Sequence, residues 1–335
     1  MKYLFGIFFA IIIIYFALPD QMTSTSESLT IYSGRSKALV EPVVDRFEED
    51  TGINVEIRYG SSTQLAVALM EEGNRSPADV FWAQDAGALG AVYKEGLLKE
   101  LPEDILELVP EQFQSGSGTW VATSGRARVL AFSTSRVDQD ELPSSVFSLT
   151  DSEWENRVGW APSNASFQAF LTALRSTDGE DTARQWLQQM KDNGAKTYTN
   201  NNALIQAISA GEIDVAITNH YYLYRYLDSD PDYPVDQTFF EEGDPGNLIN
   251  VAGVGITQNS GDNEAARKFA SFLLTEESQN WFVEETFEYP VIEGLAASPD
   301  NASLEDIEGV NPRVNLDELE DLDATLKLLR EVGLL

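Results

Sequence analysis

Two adjacent tyrosines, Tyr221 and Tyr222, give the clearest chemical signal in the sequence. They follow the apolar run 215–217, which is typical of a buried strand, and open α/β sheets bind ligands beyond the carboxyl ends of their strands. On a regular strand the two side chains face opposite ways, whereas at a bend from strand to helix both phenol oxygens can converge. A phenol with an ordinary pKa near ~10 gives up its proton at neutral pH only to a strongly charged partner, such as a trivalent metal. The pair therefore indicates a ferric iron site, with packing of both rings in the core or at its rim as the alternative.

The segment Asn219-His-Tyr-Tyr222 resembles the Asn-x-Tyr-Tyr element of bacterial ferric-iron-binding proteins, the substrate-binding components of iron ABC transporters. Six further motifs carry the resemblance along the chain, in the order of that family: Ile31-Tyr-Ser-Gly-Arg-Ser-Lys37, Phe47-x-x-x-Thr-Gly-Ile53, Ser76-Pro-Ala-Asp-Val-Phe81, Gly96-Leu-Leu98, Trp120-Val-Ala-Thr-Ser-Gly-Arg-Ala-Arg-Val129 and Gly211-Glu-Ile-Asp214. The resemblance implies a monomer that captures Fe³⁺ together with a synergistic anion (carbonate, phosphate or citrate) and passes it to a membrane permease.

The start of a predicted helix supplies a candidate anion site. Ser163 and Asn164 are residue types that cap helices, and the free N–H groups and positive dipole end of the first turn attract an anion. Arg126 is a candidate anion partner because its planar guanidinium matches an oxyanion, and Arg128 shares its face of an alternating strand. Solvated surface positions for both arginines are the alternative. By resemblance, the anion-binding turn comprises Asn164, Ala165 and Ser166, and the flanking asparagines are Asn201 and Asn219.

The part of the chain that supplies the other metal ligands departs from the pattern of the family it resembles. Many relatives place a histidine where this chain has Ser36, and a glutamate where it has Gln84 followed by Asp85. Two ligands that the resemblance implies are thus missing. The metal would then be held by the tyrosine pair and an anion, with Asp85, Gln84 or water completing the coordination and with Ser36 and Ser163 in the cleft.

Motifs for catalysis are missing from the sequence. There is no Gly-x-Ser-x-Gly elbow, no phosphate-binding loop with Gly-Lys-Ser/Thr and no His-Glu-x-x-His, and His220 is the only histidine. A lone histidine is more often a satisfied structural or surface residue than a ligand, and strand alternation points it away from Tyr221. We therefore predict that the protein is not an enzyme. An exported hydrolase is a further hypothesis, for which no nucleophile with a base in reach stands out.

Length and composition exclude several other classes of protein. A chain of 335 residues suits two domains, and with no cysteine it has neither disulfides nor thiolate metal ligands. Its 55 acidic and 22 basic residues give a formal net charge of −33, which repels nucleic acids and anionic lipids, so no nucleic-acid partner is expected. Such a surface suits high external salt, and an ordinary soluble acidic surface is the alternative.

The N-terminus predicts export. Residues 1–22 contain an almost unbroken apolar run from Tyr3 to Leu18, which fits a signal peptide or a short N-terminal anchor better than a full membrane-spanning helix of ~20 residues. The expected location is therefore periplasmic or extracellular, with membrane association if the segment is not cleaved.

From Leu29 onward, short strand patterns alternate with helical ones, which is typical of α/β folds with a largely parallel sheet. The order of elements matches the two-lobed periplasmic-binding-protein fold (type II) of the family that the chain resembles. Each lobe is expected to be a mainly parallel sheet flanked by helices, with two crossing strands joining the lobes. The predicted bounds are 28–130 plus 256–335 for the first lobe and 131–255 for the second, and packing of some C-terminal helices on the second lobe stays open. Residues 120–133 are predicted to form paired extended segments.

The predicted function is that of an exported substrate-binding protein that closes about a hinge over ferric iron and an anion. The alternative keeps the fold and changes the cargo to a small oxyanion or organic acid without metal. In that case the recognition set is Arg126, Asn164, Asn201 and Asn219, and the tyrosines act as hydrogen-bond donors.

Overall fold

The computed structural model describes residues 28–297, 314 and 316–335. The segment 1–22, predicted to be a signal peptide or anchor, lies outside the described residues. Within the described part, no helix combines the length and the apolar character needed to cross a membrane.

The first part of the chain builds three strands covered by helices. The elements are β1 Ser28–Ser33, α1 Lys37–Thr51, β2 Asn54–Tyr59, α2 Ser62–Glu72, β3 Val80–Ala83, α3 Ala86–Lys94, α4 Glu103–Leu106 and β4 Trp120–Ser133. In α1, Val43 and Phe47 recur at helical spacing and are buried, and Gly52 ends the helix at φ 70° in the left-handed conformation. β1 pairs in parallel with both β2 and β3, so the carboxyl ends of these strands meet at one edge.

The second part of the chain builds a further group of strands and helices, and its stretch 249–286 returns to the first group. The elements are β5 Val158–Trp160, α5 Ala165–Asp178, α6 Glu180–Asp192, β6 Lys196–Thr197, α7 Asn201–Ser209, β7 Val215–Asn219, α8 Tyr221–Ser229, β8 Val235–Thr238, β9 Ile249–Ile256, α9 Glu264–Phe272, α10 Glu276–Thr286 and α11 Leu322–Val332. Aromatic rings fill its core, where Trp160 lies 5.8 Å from Phe167 and 6.1 Å from Trp186 between ring centroids. β5 pairs in parallel with β6 and β7.

The C-terminal helices divide between the two groups. Helix α9 returns to the first group, where Phe269 contacts Phe47 with ring centroids 5.2 Å apart. Helix α11 instead packs on α5 and α6, and the hydroxyls of Thr172 and Thr325 share a hydrogen bond of 2.7 Å. The bounds of the two lobes stay a prediction.

One strand of 14 residues, β4, pairs with strands of both groups. Its residues 120–127 pair antiparallel with β9, which continues to β3, whereas residues 128–133 pair antiparallel with β7. The prediction of paired segments over 120–133 is therefore wrong. Every residue of β4 is buried, so it is one central strand, interrupted only by a register shift between Ala122 and Ser124. The full strand order is β2-β1-β3-β9-β4-β7-β5-β6, with β8 also beside β4.

The large acidic excess lies mostly on the surface. Among the acidic residues whose burial the structure describes, only Asp244 and Glu288 are buried. The remaining carboxylates repel one another through water, and salt screens this repulsion over about 3 Å at 1 M. We expect the unfolding temperature at pH 7.5 to rise by several degrees between about 0.05 and 1 M NaCl.

The same salt titration near pH 4.5 is the control for this prediction. The sequence pI is 4.1, so many carboxylates are protonated there and the stabilisation by salt should shrink. An unfolding temperature at pH 7.5 that stays constant or falls as salt is added would contradict the prediction.

Candidate functional site

The tyrosine pair lies in the first turn of a helix. Strand β7 ends at Asn219, His220 already has helical backbone angles (φ −55°, ψ −44°), and α8 begins at Tyr221. The rings of Tyr221 and Tyr222 stack with centroids 4.4 Å apart and an interplanar angle of 30°. The chain thus leaves the strand before the pair, so the two phenols lie together and do not face opposite ways.

The environment of Tyr221 keeps its phenol neutral. Tyr221 is buried and Tyr222 is half-buried. Burial raises the pKa of Tyr221 well above its usual value, the neighbouring Tyr222 raises it further, and the positive charge of Arg126 only partly opposes this. A cation that binds the phenolate must therefore displace the proton.

Arg225 covers both rings from the next turn of α8. Its guanidinium lies 5.1 Å from the ring centroid of Tyr221 and 5.7 Å from that of Tyr222, at distances typical of cation–π contacts. Arg225 is not among the site residues predicted from the sequence. Its spacing of four and three residues from the tyrosines was the available signal, because such residues share one face of a helix.

Four of the predicted anion-binding residues lie around one hydroxyl and one guanidinium. Asn164 caps α5. Its Oδ1 accepts from the backbone N–H of Ser166 at 3.0 Å and from the Oγ of Ser166 at 2.6 Å. Asn201 donates from Nδ2 to the same Oγ at 3.2 Å. Ser163 and Ala165 lie beside this turn and are exposed. We call Asn164, Ser166, Asn201, Asn219 and Arg128 the polar cradle.

Arg128 holds the polar cradle together. Its Nη1 donates to Ser166 Oγ at 3.0 Å and to Asn219 Oδ1 at 3.1 Å, and its Nη2 donates to the Ile217 carbonyl at 3.0 Å. All three acceptors are neutral. Burial lowers the pKa of Arg128 to about 9, even though the nearby tyrosines raise it. Within the described ranges Arg128 has no carboxylate partner, and such a buried cation favours a bound anion, because burying an unpaired charge is costly.

Arg126, the predicted anion partner, binds a different group. It is buried on β4, and its Nη2 donates to the backbone carbonyl of Gln84, which follows β3. Its charge also acts on Tyr221. Arg126 therefore lies between the carboxyl end of β3 and the tyrosine pair, whereas Arg128, two residues further along β4, serves the polar cradle.

The predicted first-lobe residues lie at starts of helices. Gln84 donates its backbone N–H to Ser62 Oγ at 2.8 Å, and Asp85 caps α3 by accepting from the Ala88 N–H at 2.9 Å. Ser36 precedes α1, is exposed and makes no capping hydrogen bond with its side chain. Roles for Gln84 and Asp85 as metal ligands stay predictions. Within the described residues no group of three or more His, Asp or Glu is arranged to hold a metal ion.

His220 is a buried structural residue. Its Nδ1 accepts from the Ala127 N–H at 3.2 Å, and its Nε2 donates to the Phe287 carbonyl at 2.7 Å. Burial lowers its pKa to about 4, so the imidazole is neutral at pH 7. The expectation that it points away from Tyr221 is wrong, because the chain has already left the strand: the two rings meet edge to face with centroids 5.6 Å apart.

The chain is similar to known proteins over nearly its whole length. Residues 75–313 match the family described as bacterial extracellular solute-binding protein. The major ferric iron-binding protein of Neisseria meningitidis serogroup A is 30% identical over 332 residues, which cover 96% of this chain and 98% of the relative.

Solved structures of the same kind share the fold. Iron-bound HitA from Pseudomonas aeruginosa has a TM-score of 0.85 and 33% identity, and the match covers 91% of this chain and 99% of HitA. The Trichodesmium protein IdiA (FutA), solved with iron and citrate ligands, has a TM-score of 0.80 and 28% identity, and the match covers 92% of this chain and 100% of that protein. The predicted α/β fold of two lobes, of the type II periplasmic-binding class, is confirmed. The chain belongs to the bacterial extracellular solute-binding proteins and, within them, to the ferric-iron-binding proteins.

Proposed function

We propose that this protein is the exported substrate-binding component of an iron ABC transporter. It works outside the cytoplasmic membrane, captures Fe³⁺ together with a synergistic anion, and delivers it to the permease as a monomer. Relatives named for ferric iron binding support this proposal. The observation that carries it is the stacked pair Tyr221 and Tyr222, whose rings lie close enough to present both phenol oxygens to one cation.

The site would bind two species of opposite charge, Fe³⁺ and an anion. The tyrosines supply two hard oxygen donors once their protons leave, and Fe³⁺ provides the charge that displaces those protons. The polar cradle supplies Arg128 and the N-terminus of α5 for the anion, which in turn completes the metal coordination. Carbonate, phosphate and citrate all fit this chemistry.

Closure of the cleft would complete the site. The strands β4 and β9 connect the two groups of elements, and a bend in them brings the carboxyl ends of β1 and β3 toward the tyrosines. Asp85, Gln84 and Ser36 lie at those ends. A half-open coordination sphere of this kind suits a carrier that must release its cargo.

The alternative cargo is an oxyanion or organic acid without metal. The observation in its favour is the buried guanidinium of Arg128, whose acceptors Ser166, Asn219 and Ile217 are all neutral. An anion alone would balance this charge. In that case the tyrosines would donate hydrogen bonds to the ligand.

Thermal unfolding of the iron-free chain with different ligands tests the proposal. Ferric citrate, and ferric nitrilotriacetate with bicarbonate, should each raise the unfolding temperature, because a ligand at about 100 times its Kd stabilises by roughly 2.7 kcal/mol. Citrate or bicarbonate without iron should have little effect. Stabilisation by the anion alone, and none by the ferric complexes, would reject iron and select the alternative.

A further inference from the structure

Three consecutive residues, Phe287, Glu288 and Tyr289, connect two distant parts of the fold. One is the tyrosine helix, which is α8 with the tyrosine pair at its start, and the other is the loop after β1, residues 34–36. We call the three residues the 287–289 segment. They directly follow α10 and are far in sequence from both partners. Glu288 contacts the loop after β1, whereas Phe287 and Tyr289 contact His220 at the start of the tyrosine helix.

Glu288 contacts the loop after β1. Its Oε2 accepts from Arg35 Nη2 at 2.6 Å and from Ser124 Oγ at 2.6 Å, and Arg35 Nη1 also donates to Ser124 at 2.8 Å. Both partners of this ion pair are buried. Burial alone would raise the pKa of Glu288, but the charges of Arg35 and Arg126 keep it below its usual value, so the carboxylate stays ionised.

The flat guanidinium of Arg35 is itself fixed in place. It lies 5.6 Å from the ring centroid of Trp82 and 5.2 Å from that of Phe282. These rings belong to β3 and α10, so the ion pair joins three separate parts of the fold. Removal of one partner would leave a buried unpaired charge.

The other two residues contact the start of the tyrosine helix. The Phe287 carbonyl accepts from His220 Nε2 at 2.7 Å, and the Tyr289 ring lies 4.4 Å from the His220 ring. Phe287 also stacks on Tyr224 of α8, with centroids 6.0 Å apart. Tyr289 pairs through its backbone with Gly125 of β4, at 2.8 and 2.9 Å. His220 immediately precedes Tyr221, so these contacts fix the point where α8 begins.

The backbone of Phe287 supports a specific role for the segment. Phe287 has φ 57°, in the left-handed region that residues with a side chain adopt rarely. Such a conformation persists where the surroundings over-determine it. Here, the contacts with His220 and Tyr224 on one side and the ion pair of Glu288 on the other provide that constraint.

We propose that the 287–289 segment positions the tyrosine pair relative to the loop after β1, with Glu288 and His220 as its two positioning residues. Neither residue binds the cargo. When the loop moves, the Arg35–Glu288 pair transmits the movement through Phe287 and His220 to Tyr221. The identity of the cargo rests on the proposed function, whereas the positioning of the tyrosine pair rests on the contacts alone.

The test compares Glu288→Gln, His220→Leu and the double variant with the wild type. Ferric affinity is measured by competition with nitrilotriacetate at fixed bicarbonate, and each single change should lower it about tenfold, as expected for groups that orient ligands. The double change should lower it little further, because both residues act through the same segment and their effects are not additive. A fold-change in the double variant equal to the product of the single ones would overturn the proposal.

A second measurement on the iron-free protein keeps the proposal separate from the identity of the cargo. The protein is labelled with 3-fluorotyrosine, and the ¹⁹F resonances of the pair are assigned with Tyr221→Phe and Tyr222→Phe. Glu288→Gln should shift these resonances, and it is the deciding variant, because His220→Leu removes a ring that touches Tyr221 and shifts them in any case. If the resonances move and no variant or wild type binds iron, the proposed function fails and the positioning role stands; unshifted resonances reject the positioning role whether or not iron binds.

Matched variants separate positioning from general loss of stability. Asp244→Asn changes the other buried carboxylate of the described residues, which accepts from Ser145 Oγ and from the N–H groups of Val146 and Gly246, none of them in α8 or the 287–289 segment. It should leave the affinity and the ¹⁹F resonances of the pair unchanged. His220→Gln retains a donor for the Phe287 carbonyl and should recover part of the affinity lost in His220→Leu. Equal loss in Asp244→Asn would show that the effect is only structural.

Discussion

Replacement of both Tyr221 and Tyr222 by phenylalanine should lower the affinity of this protein for ferric iron by more than about 100-fold, a larger loss than is typical of residues that only orient ligands. The double variant keeps both rings, so the stacking at 4.4 Å and the contacts with Arg225 remain. It removes the two anionic oxygens and therefore any charge transfer from phenolate to iron. The visible absorption of the iron-loaded sample and competition with citrate both measure the effect.

Tyr198→Phe is the control for this pair of substitutions. The Tyr198 hydroxyl donates to Glu212 Oε2 at 3.0 Å, and burial together with Glu212 raises the pKa of Tyr198 to about 12. Tyr198 is thus a phenol with a raised pKa, like Tyr221, but it lies outside the candidate site. Its loss should leave iron binding unchanged. A charge-transfer band that survives in Tyr221→Phe/Tyr222→Phe would remove the tyrosines from the site.

Replacement of Arg128 by methionine should disable the anion side of the site. The change removes the charge that suits a bound anion and leaves Ser166, Asn219 and the Ile217 carbonyl without their shared donor. Hydrogen bonds to charged groups contribute roughly 1.5–3 kcal/mol, so we expect affinity for ferric iron with its anion to fall about 10- to 100-fold. Isothermal titration with ferric nitrilotriacetate at varied bicarbonate measures this fall.

Two matched variants accompany that experiment. Arg128→Lys keeps the charge and loses the planar fork, so it should recover only part of the affinity. Arg157→Met removes an arginine that pairs with Asp214 at 2.6 Å, at the end of β7 opposite to the tyrosines. This variant should leave the affinity for ferric iron with its anion unchanged. Wild-type affinity and bicarbonate dependence in Arg128→Met would contradict the role of the polar cradle.

Local patterns in the sequence predict much of the fold and one side of the site. The apolar run before Tyr221 indicates a strand that ends at a ligand-binding edge, and the pair is found at the bend after β7. Asn164 has the residue type of a helix cap, and it does cap α5. These features depend on neighbours within a few residues, which a single sequence displays.

Contacts between distant segments explain what the sequence analysis missed. Arg35 and Glu288 are 253 positions apart, and no periodicity connects them. The two arginines of β4 share a face, as alternation predicts, yet only the folded neighbours decide that Arg126 binds the Gln84 carbonyl and Arg128 binds Ser166. Strand alternation predicts the wrong orientation for His220, because β7 ends at Asn219 and His220 already has helical backbone angles.

The most direct test of the central claim is a visible absorption titration of the iron-free chain, residues 23–335, with ferric citrate or with ferric nitrilotriacetate and bicarbonate. If Tyr221 and Tyr222 bind Fe³⁺, a broad charge-transfer band grows and saturates at one iron per chain. A titration that stays colourless under these conditions would contradict ferric ligation by the tyrosines and would favour the alternative, in which an oxyanion or organic acid binds without metal.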